Sequence, residues 1–323
     1  MVLWHAIQYT DPAFDDNLSF WLIYAVHMPL FMFLSGHVTS RLKGMATYRD
    51  LRFWHKLSDL LLPYVAWLLI AYLATAGMQQ PPGFSGRFPA FIGQVPRSPD
   101  LGLWFLLVLV ECHLLLASMA GPRRTSLMTC VLLLLINLMV LRVAGSNWMG
   151  LGLLCWHFFF YLLRGRSGFP LALRPAVLTL IAFGLLAAFW YRKSAVPVAW
   201  LLGQQPGAIR QLATQGYHAV TALAGIAATL GLLAAVGRCP RFSVPQRWPA
   251  YLGARSLHIY AGHYPFLYVA VGLTAGMATL ATSRVLVVAG CALAAALLLA
   301  RILARWPALC QIIYGRLPMT AGR

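Results

Sequence analysis

Acidic residues are scarce in this sequence, which has seven Asp and Glu among 323 residues against 25 Lys and Arg. Glycoside hydrolysis needs a pair of carboxylates and metal-assisted hydrolysis needs a cluster of ligands, so both are poorly supported. Neither a glycine-rich phosphate loop nor an H-E-x-x-H motif is present. Histidine is therefore the residue that remains to accept a proton near neutral pH, and it suits deprotonation of a hydroxyl during acyl transfer.

Cysteines and basic residues are not grouped into binding motifs either. The six cysteines occur singly, mostly within apolar runs, and we interpret them as small packing residues. We therefore expect no metal site and no bound cofactor. The net charge of +18 does not indicate nucleic-acid binding, because the charges fall in short loops rather than in one basic block. Such loops orient a membrane protein and contact anionic membrane lipids or an anionic substrate.

Long apolar runs, in contrast, are abundant, and 60% of the residues are hydrophobic. Runs of this length cross a bilayer as helices, so the sequence predicts an all-α, polytopic transmembrane bundle of about ten helices. The first helix, which ends at Asp11-Pro12, is about half a span long, and we expect it to be truncated. We find no internal repeat, so residues 1–323 are predicted to form one integral membrane domain. The predicted full spans are 18–38, 59–77, 101–119, 125–143, 148–163, 172–190, 213–236, 254–273 and 284–304.

Basic residues are divided unequally between alternate loops of this arrangement. Eighteen of the 25 lie in one set of loops, and the remaining seven lie in the other set. Because loops rich in Lys and Arg stay on the cytoplasmic side, the first set is assigned to the cytoplasm. The regular alternation also supports the predicted number of spans.

His27 lies in the middle of the apolar run 18–38. An imidazole is costly in hydrocarbon, so we expect it to face a partner, a cavity or a reactant. Pro29 removes a backbone donor and tends to bend the helix, which opens room beside His27. The alternative, a buried histidine that only bonds a neighbouring helix, stays open.

Two further histidines have polar neighbours at helical spacing. His5 shares a helix face with Gln8, and His263 shares one with Ser256 and Tyr260 at steps of four and three. At about 1.5 Å of rise per residue, His5 lies about 8 Å below the outer surface, and the other two histidines lie near the middle. The three imidazoles are therefore predicted to meet in one layer. An interfacial His5 and a His263 that only fixes helix packing are the alternatives.

A basic helical face precedes the third span, where Arg49, Arg52 and Lys56 follow one another at spacings of three and four. These residues are candidates to bind an anionic substrate, although positive-inside residues alone explain them as well. Glu111 is a lone carboxylate inside a predicted span and is a functional candidate by default. Pairing with an Arg of a neighbouring helix is its alternative.

Five short motifs follow one another between residues 3 and 268, and in them the sequence resembles the acyltransferase 3 family of integral membrane O-acyltransferases. The resemblance is closest to the fucose 4-O-acetylase-like and glucan-modifying branch. The second and last motifs are the most specific. The motifs are Leu3-Trp4-His5-Ala6-Ile7, Tyr24-Ala25-Val26-His27-Met28-Pro29-Leu30-Phe31-Met32-Phe33-Leu34-Ser35-Gly36, Leu60-Leu61-Leu62-Pro63-Tyr64, Leu103-Trp104-Phe105-Leu106, and Ser256-Leu257-His258-Ile259-Tyr260 with His263.

The resemblance implies that an acyl group, with acetyl or succinyl expected, moves from cytoplasmic acyl-CoA to a hydroxyl of a sugar. The sugar is expected in a cell-envelope glycan or its lipid-linked precursor, and the enzyme in a bacterial-type inner membrane. His5 matches the first-helix histidine that is taken as catalytic, and Arg49 and Arg52 fit a cytoplasmic Arg-x-x-Arg element. Two features depart from the family: the sequence begins after an Arg expected about three turns before His5, and Asp59 replaces a basic residue.

We therefore predict a membrane O-acyltransferase in which His5 is the general base, and His27 and His263 orient the hydroxyl or stabilise the oxyanion. A transporter or flippase for a lipid-linked sugar, or an inactive family member, is the alternative. Scarce intramembrane carboxylates and the lack of two related halves argue against an ion-coupled carrier. The residues expected to bind substrate are Arg49, Arg52 and Lys56 for the CoA phosphates, with Ser256, Tyr260, Glu111 and Trp104.

Overall fold

The computed structural model is all-α, as predicted. It describes residues 1–41, 51–77, 88–94, 103–118, 132, 151–163, 173–191, 194–203, 207–238, 247–276 and 281–315. Within these ranges lie a short 3-10 turn, Phe14–Asp16, and two antiparallel two-residue strands, β1 (Trp190–Tyr191) and β2 (Ser194–Ala195). The helices are α1 (Val2–Thr10), α2 (Leu18–Arg41), α3 (Leu51–Gly77), α4 (Phe88–Gln94), α5 (Trp104–Ser118), α6 (Leu151–Leu162), α7 (Leu173–Ala188), α8 (Val196–Leu202), α9 (Ala208–Arg238), α10 (Arg247–Ala254), α11 (Ser256–Leu273), α12 (Ala281–Leu303) and α13 (Pro307–Tyr314).

Every predicted full span corresponds to one of these helices except 125–143, which lies outside the described residues apart from residue 132. Within the described ranges, three helices are long and apolar enough to cross a membrane: Leu18–Thr39, Ile209–Ala235 and Thr282–Leu303. Shorter apolar helices are found at Trp104–Ser118 and Ala176–Ala188. The prediction of a multi-pass helical membrane bundle is therefore confirmed. In α11 the histidines and tyrosines lower the mean hydropathy, so this helix, which carries the candidate residues Ser256, Tyr260 and His263, is not among the three.

The chain divides into two compact units. The first unit comprises Met1–Phe31 and Gly165–Leu297, and the second comprises Met32–Arg164 and Leu298–Arg323. Helices α2 and α12 therefore each contribute residues to both units. The prediction of one functional domain over residues 1–323 stays a prediction.

In the first unit, a tight turn fixes the approach of α1 to α2. Asp11 follows the end of α1 and accepts hydrogen bonds from the Ala13 backbone at 2.9 Å and the Asn17 amide at 3.1 Å. Asn17 in turn accepts bonds from the backbone N–H groups of Ser19 and Phe20, so it caps the N-terminus of α2. This chain of caps brings the apolar face of α1 against the first turns of α2.

Helix α11 packs on the opposite side of α1. Ala6 of α1 is fully buried against Leu267 and Ala270 of α11 and Val288 of α12. Because His263, Leu267 and Ala270 recur at steps of four and three, they form one buried stripe of α11. The small side chain of Ala6 lets α1 and α11 approach closely. His263 lies on the same stripe of α11 as Leu267 and Ala270, so the packing of that stripe against α1 fixes its position.

Helices α7 and α9 form a second close pair in the first unit. A Cβ on Gly225 of α9 would lie 2.7 Å from Val26 and 2.9 Å from Phe183, and one on Gly231 would lie 2.6 Å from Ala176. Glycine at these two positions therefore lets the helices approach without overlap.

The second unit is built around α3. Helix α13 packs on α3 through the indole of Trp67, which donates to the carbonyl oxygen of Ile313 at 3.0 Å. Helix α5 packs on both α3 and α6. The last part of α2 meets α6 where Gly36 faces the backbone of Tyr161. Gly36 ends one of the two most specific motifs, and its packing gives that glycine a physical role.

Candidate active site

His5 on α1 is held in one tautomer by its own helix. Its ring is 6% exposed, and its Nδ1 lies 3.2 Å from Gln8 Oε1. A carbonyl oxygen only accepts, so Nδ1 carries the proton and Nε2 carries the lone pair. The Tyr264 hydroxyl of α11 donates to this Nε2 at 2.8 Å. Gln8 therefore makes Nε2 the basic nitrogen of His5.

His263 on α11 and His27 on α2 are fixed by backbone carbonyls. His263 Nδ1 donates to Ile259 at 2.9 Å and to Tyr260 at 2.7 Å, and His27 Nδ1 donates to Ile23 at 3.0 Å. Both neutral rings therefore have Nε2 as an acceptor. In His263 this nitrogen is buried without a hydrogen-bond partner among the described residues.

The three imidazoles are linked by ring contacts: the indole of Trp4 contacts His5 and His27, and His5 contacts His263. The centroid of the Trp4 ring system lies 4.3 Å from that of His5 and 5.3 Å from that of His27, while His5 and His263 lie 5.2 Å apart. Trp4 is 8% exposed, and its Nε1 is a buried donor without a partner in the described part of the chain. The structure thus brings the three predicted histidines together, while their catalytic role stays a prediction.

Tyr260 and Ser256 occupy the predicted stripe of α11 at different distances from the histidines. Tyr260 is buried, and its ring centroid lies 6.3 Å from that of His263. Ser256 is half-buried and begins the helix, about 10 Å along the axis from His263 at 1.5 Å per residue. Tyr260 therefore adjoins the histidine cluster, whereas Ser256 lies two turns away from it.

Two of the basic residues predicted to bind phosphate, Arg52 and Lys56, lie in the second unit, on the first turns of α3. Arg52 is exposed and Lys56 is half-buried, and Arg49 lies outside the described residues. Burial lowers the pKa of the Lys56 ammonium, and Asp59, one turn further on, acts in the opposite direction. Asp59, which stands where the family is expected to have a basic residue, therefore favours the charged form of Lys56.

Glu111 and Trp104 lie on α5, also in the second unit. Glu111 is half-buried, interacts electrostatically with Tyr64, and has one carboxylate oxygen, Oε2, without a hydrogen-bond partner among the residues the structure describes. The Trp104 ring lies 5.1 Å from that of His157 on α6. These two residues, which are predicted to contact the substrate, belong to the second unit, whereas the three histidines belong to the first.

The chain matches the model of a known protein family. The model of the acyltransferase 3 family, described as an acyltransferase domain, matches residues 1–304. The chain belongs to the acyltransferase 3 family. No curated protein and no solved structure matches it. Together with its apolar helices, family membership makes the protein a multi-pass membrane acyltransferase.

Two residues of this acyltransferase were not among the predicted site residues, although both adjoin predicted histidines in sequence. Tyr264 follows His263, and Trp4 precedes His5. A search for polar residues at helical steps of three and four passes over direct neighbours, because adjacent side chains point about 100° apart. Tyr264 and Trp4 are identified by the packing of α1 between α2 and α11, and this packing cannot be read from the sequence.

The histidine cluster of the acyltransferase is equipped for proton transfer from a hydroxyl. It offers a basic nitrogen on His5, and among the described residues a buried acceptor on His263 and a buried donor on Trp4 that have no hydrogen-bond partner. An ester-forming transfer needs these kinds of group, because a hydroxyl must lose a proton while a carbonyl oxygen gains negative charge. No group of three His, Cys, Asp or Glu side chains in the described ranges is placed to hold a metal ion.

Proposed function

We propose that the protein transfers an acyl group from acyl-CoA to a hydroxyl of a carbohydrate, with His5 as the general base. The observation that carries this proposal is the hydrogen bond from a hydroxyl, that of Tyr264, to His5 Nε2 at 2.8 Å. A nitrogen that already accepts from a hydroxyl has the geometry that deprotonation of an alcohol requires. Gln8 supports this role because it holds the proton on the other nitrogen of the ring.

The remaining groups of the cluster take complementary roles in this proposal. Neutral His27 and His263 are protonated on Nδ1, so they orient hydroxyl groups as acceptors rather than donate to an oxyanion. The indole N–H of Trp4, which has no hydrogen-bond partner in the part of the chain that the structure describes, is the donor that would stabilise the negative oxygen formed from the thioester carbonyl. A sugar carries neighbouring hydroxyls, so one can react while another donates to His263 Nε2.

The acyl donor is proposed to be cytoplasmic acyl-CoA, which supplies acetyl or succinyl. The basic residues Arg52 and Lys56, with Arg49, would bind its phosphates by charge-assisted hydrogen bonds. The half-buried position of Lys56 supports this, because an anionic group would offset the cost of burying its charge. The acceptor would be an envelope glycan or its lipid-linked precursor at an inner membrane, as in the fucose 4-O-acetylase-like and glucan-modifying branch.

Labelled acyl transfer in isolated membranes tests the function. Membranes that contain the protein are incubated with [14C]acetyl-CoA or [14C]succinyl-CoA, and alkali-labile label is counted in the carbohydrate and glycolipid fractions. We expect protein-dependent ester formation on carbohydrate. Transport of lipid-linked sugar across vesicle membranes without any labelled ester would instead identify a flippase, and the absence of both activities would identify an inactive member.

Charge reversal on α3 should weaken donor binding. For Arg52→Glu and Lys56→Glu we expect the KM for acyl-CoA to rise about tenfold each, because a lost charge-assisted hydrogen bond is worth about 1.5 kcal/mol or more. The rate at saturating acyl-CoA should change little. Arg305→Glu is the matched control, since Arg305 is exposed in the connection before α13 and lies away from α3 in sequence. Equal KM values in all three variants would contradict the assignment.

Removal of the indole N–H should slow the reaction without weakening binding. For Trp4→Phe we expect the kcat to fall about 10²-fold at unchanged KM, as for the loss of one donor to a developing oxyanion. Trp190→Phe is the control, because Trp190 is equally buried and its Nε1 likewise has no partner among the described residues, but it packs on His218 rather than on His5. Equal activity of the two variants would remove Trp4 from the mechanism.

A further inference from the structure

Tyr264 occupies the one position on His5 through which a substrate proton would enter. Gln8 holds the proton on Nδ1, so a neutral imidazole has a single remaining lone pair, on Nε2. The Tyr264 hydroxyl donates to that lone pair at 2.8 Å. An acceptor alcohol therefore has no direct hydrogen-bonding position on His5 while this bond exists.

The relative burial of the two side chains indicates how the proton reaches His5. The His5 ring is 6% exposed, whereas Tyr264 is only half-buried. A phenolic oxygen is an acceptor as well as a donor, so it can accept from one hydroxyl while it donates to an imidazole. The Tyr264 ring is held by contacts with both histidines, at centroid distances of 4.6 Å from His5 and 4.4 Å from His263. The hydroxyl oxygen of Tyr264 is thus held in place, and Tyr264 is less buried than His5.

We propose that Tyr264 is a proton-relay residue, which passes the proton of the acceptor hydroxyl to His5. This inference rests on the proposed acyl transfer and adds a residue that contacts the substrate. The acceptor O–H bond breaks and its proton moves to the Tyr264 oxygen, while the Tyr264 proton moves to His5 Nε2. The acceptor oxygen forms the C–O bond to the thioester carbonyl, and the C–S bond breaks. The proton on His5 returns through Tyr264 to the CoA thiolate, so the products are an ester and free CoA thiol.

Tyr264→Phe tests the relay, because it keeps the ring between the two histidines and removes only the hydroxyl. We expect the kcat for label transfer from [14C]acetyl-CoA to fall about 10²-fold, at an unchanged KM and an unchanged thermal stability. Tyr268→Phe is the matched control: Tyr268 lies one turn further on α11, and its hydroxyl pairs with that of Tyr9 of α1 at 3.1 Å. This variant should keep wild-type activity.

A solvent isotope measurement separates a relay from a structural role. A relay moves two protons in one step, so the wild-type rate should vary with the deuterium fraction of the water along a curve. In Tyr264→Phe the residual rate should vary linearly and show a smaller isotope effect. If the hydroxyl only fixes packing, we expect neither the curved dependence in the wild type nor the smaller isotope effect in Tyr264→Phe.

The outcomes distinguish this proposal from the proposed function. If wild-type protein transfers label and Tyr264→Phe does so within twofold of it, the relay is wrong while the acyltransferase stands. Equal losses in Tyr264→Phe and Tyr268→Phe, or a rise in KM alone, would also overturn the relay. If wild-type protein transfers no label from [14C]acetyl-CoA or [14C]succinyl-CoA, the proposed function itself fails, and the relay fails with it.

Discussion

Replacement of His5 by alanine is expected to lower the rate of acyl transfer by about two to four orders of magnitude. General base catalysis contributes about this much, and His5 combines a tautomer fixed by the Gln8 amide with a hydroxyl bonded to its Nε2. The KM for acyl-CoA should stay within a small factor of the wild-type value, because His5 is assigned to the acceptor hydroxyl rather than to the CoA phosphates. The measurement is the initial rate of label transfer from [14C]acetyl-CoA at saturating donor.

Two controls give this result its meaning. The His5→Ala protein must insert and run as a monodisperse species in detergent, because His5 packs against the Trp4 ring. His218→Ala removes a half-buried histidine of the same unit that lies against Trp190 instead, with ring centroids 4.8 Å apart. We expect it to retain activity. A well-folded His5→Ala protein with full transfer activity would show that another group accepts the proton.

Gly36→Ala is expected to destabilise the second unit strongly. A Cβ at this position would overlap the carbonyl oxygen of Tyr161 and would lie 2.9 Å from its carbonyl carbon and 3.2 Å from its Cα. Backbone atoms of a packed helix cannot move aside as a flexible side chain can, so α2 and α6 must separate. We expect a loss of about 3 kcal/mol, the upper part of the usual range for an overpacked site. That is a large fraction of the stability of a typical protein domain.

The loss should be visible as a lower yield of monodisperse protein in detergent and a lower midpoint of thermal unfolding. Gly184→Ala on α7 is the matched control, since a Cβ there would meet nothing within 4 Å. Alanine has a higher helix propensity than glycine, so this control should be neutral or slightly stabilising. Similar behaviour of the two variants would mean that the approach of α2 to α6 is not close in solution.

Much of the fold was predictable because hydrophobicity and charge act locally. The apolar runs that became α2, α9 and α12 are long enough to exclude water from a bilayer-spanning helix, whatever they pack against. The same reasoning placed α5 and α7, whose boundaries differ from the predicted spans by a few residues. The predicted span 125–143, apart from residue 132, and the basic residue Arg49 fall outside the described residues and stay predictions.

The candidate site was only partly predictable. His5 and Gln8, and likewise His263 and Tyr260, were expected on common helix faces from their spacing. The side chains of the first pair are hydrogen-bonded, and the rings of the second pair lie with their centroids 6.3 Å apart. The bond between Tyr264 and His5 joins residues 259 positions apart, and no local pattern contains it. The role expected of His263 also changes, because its Nδ1 bonds to backbone carbonyls and its Nε2 therefore accepts.

The sequence by itself determined that this protein is a helical membrane acyltransferase, since span length, scarce acids and the ordered motifs are properties of the chain alone. Only the tertiary structure decided which atoms of those motifs meet. Asn17 caps α2, and the small side chain of Ala6 lets α11 pack closely on α1. These contacts hold α1 where His5 touches Trp4 of the same helix and Tyr264 of α11. The physical reason is that spacing fixes the face of a helix, whereas the packing of small residues between helices fixes what that face touches.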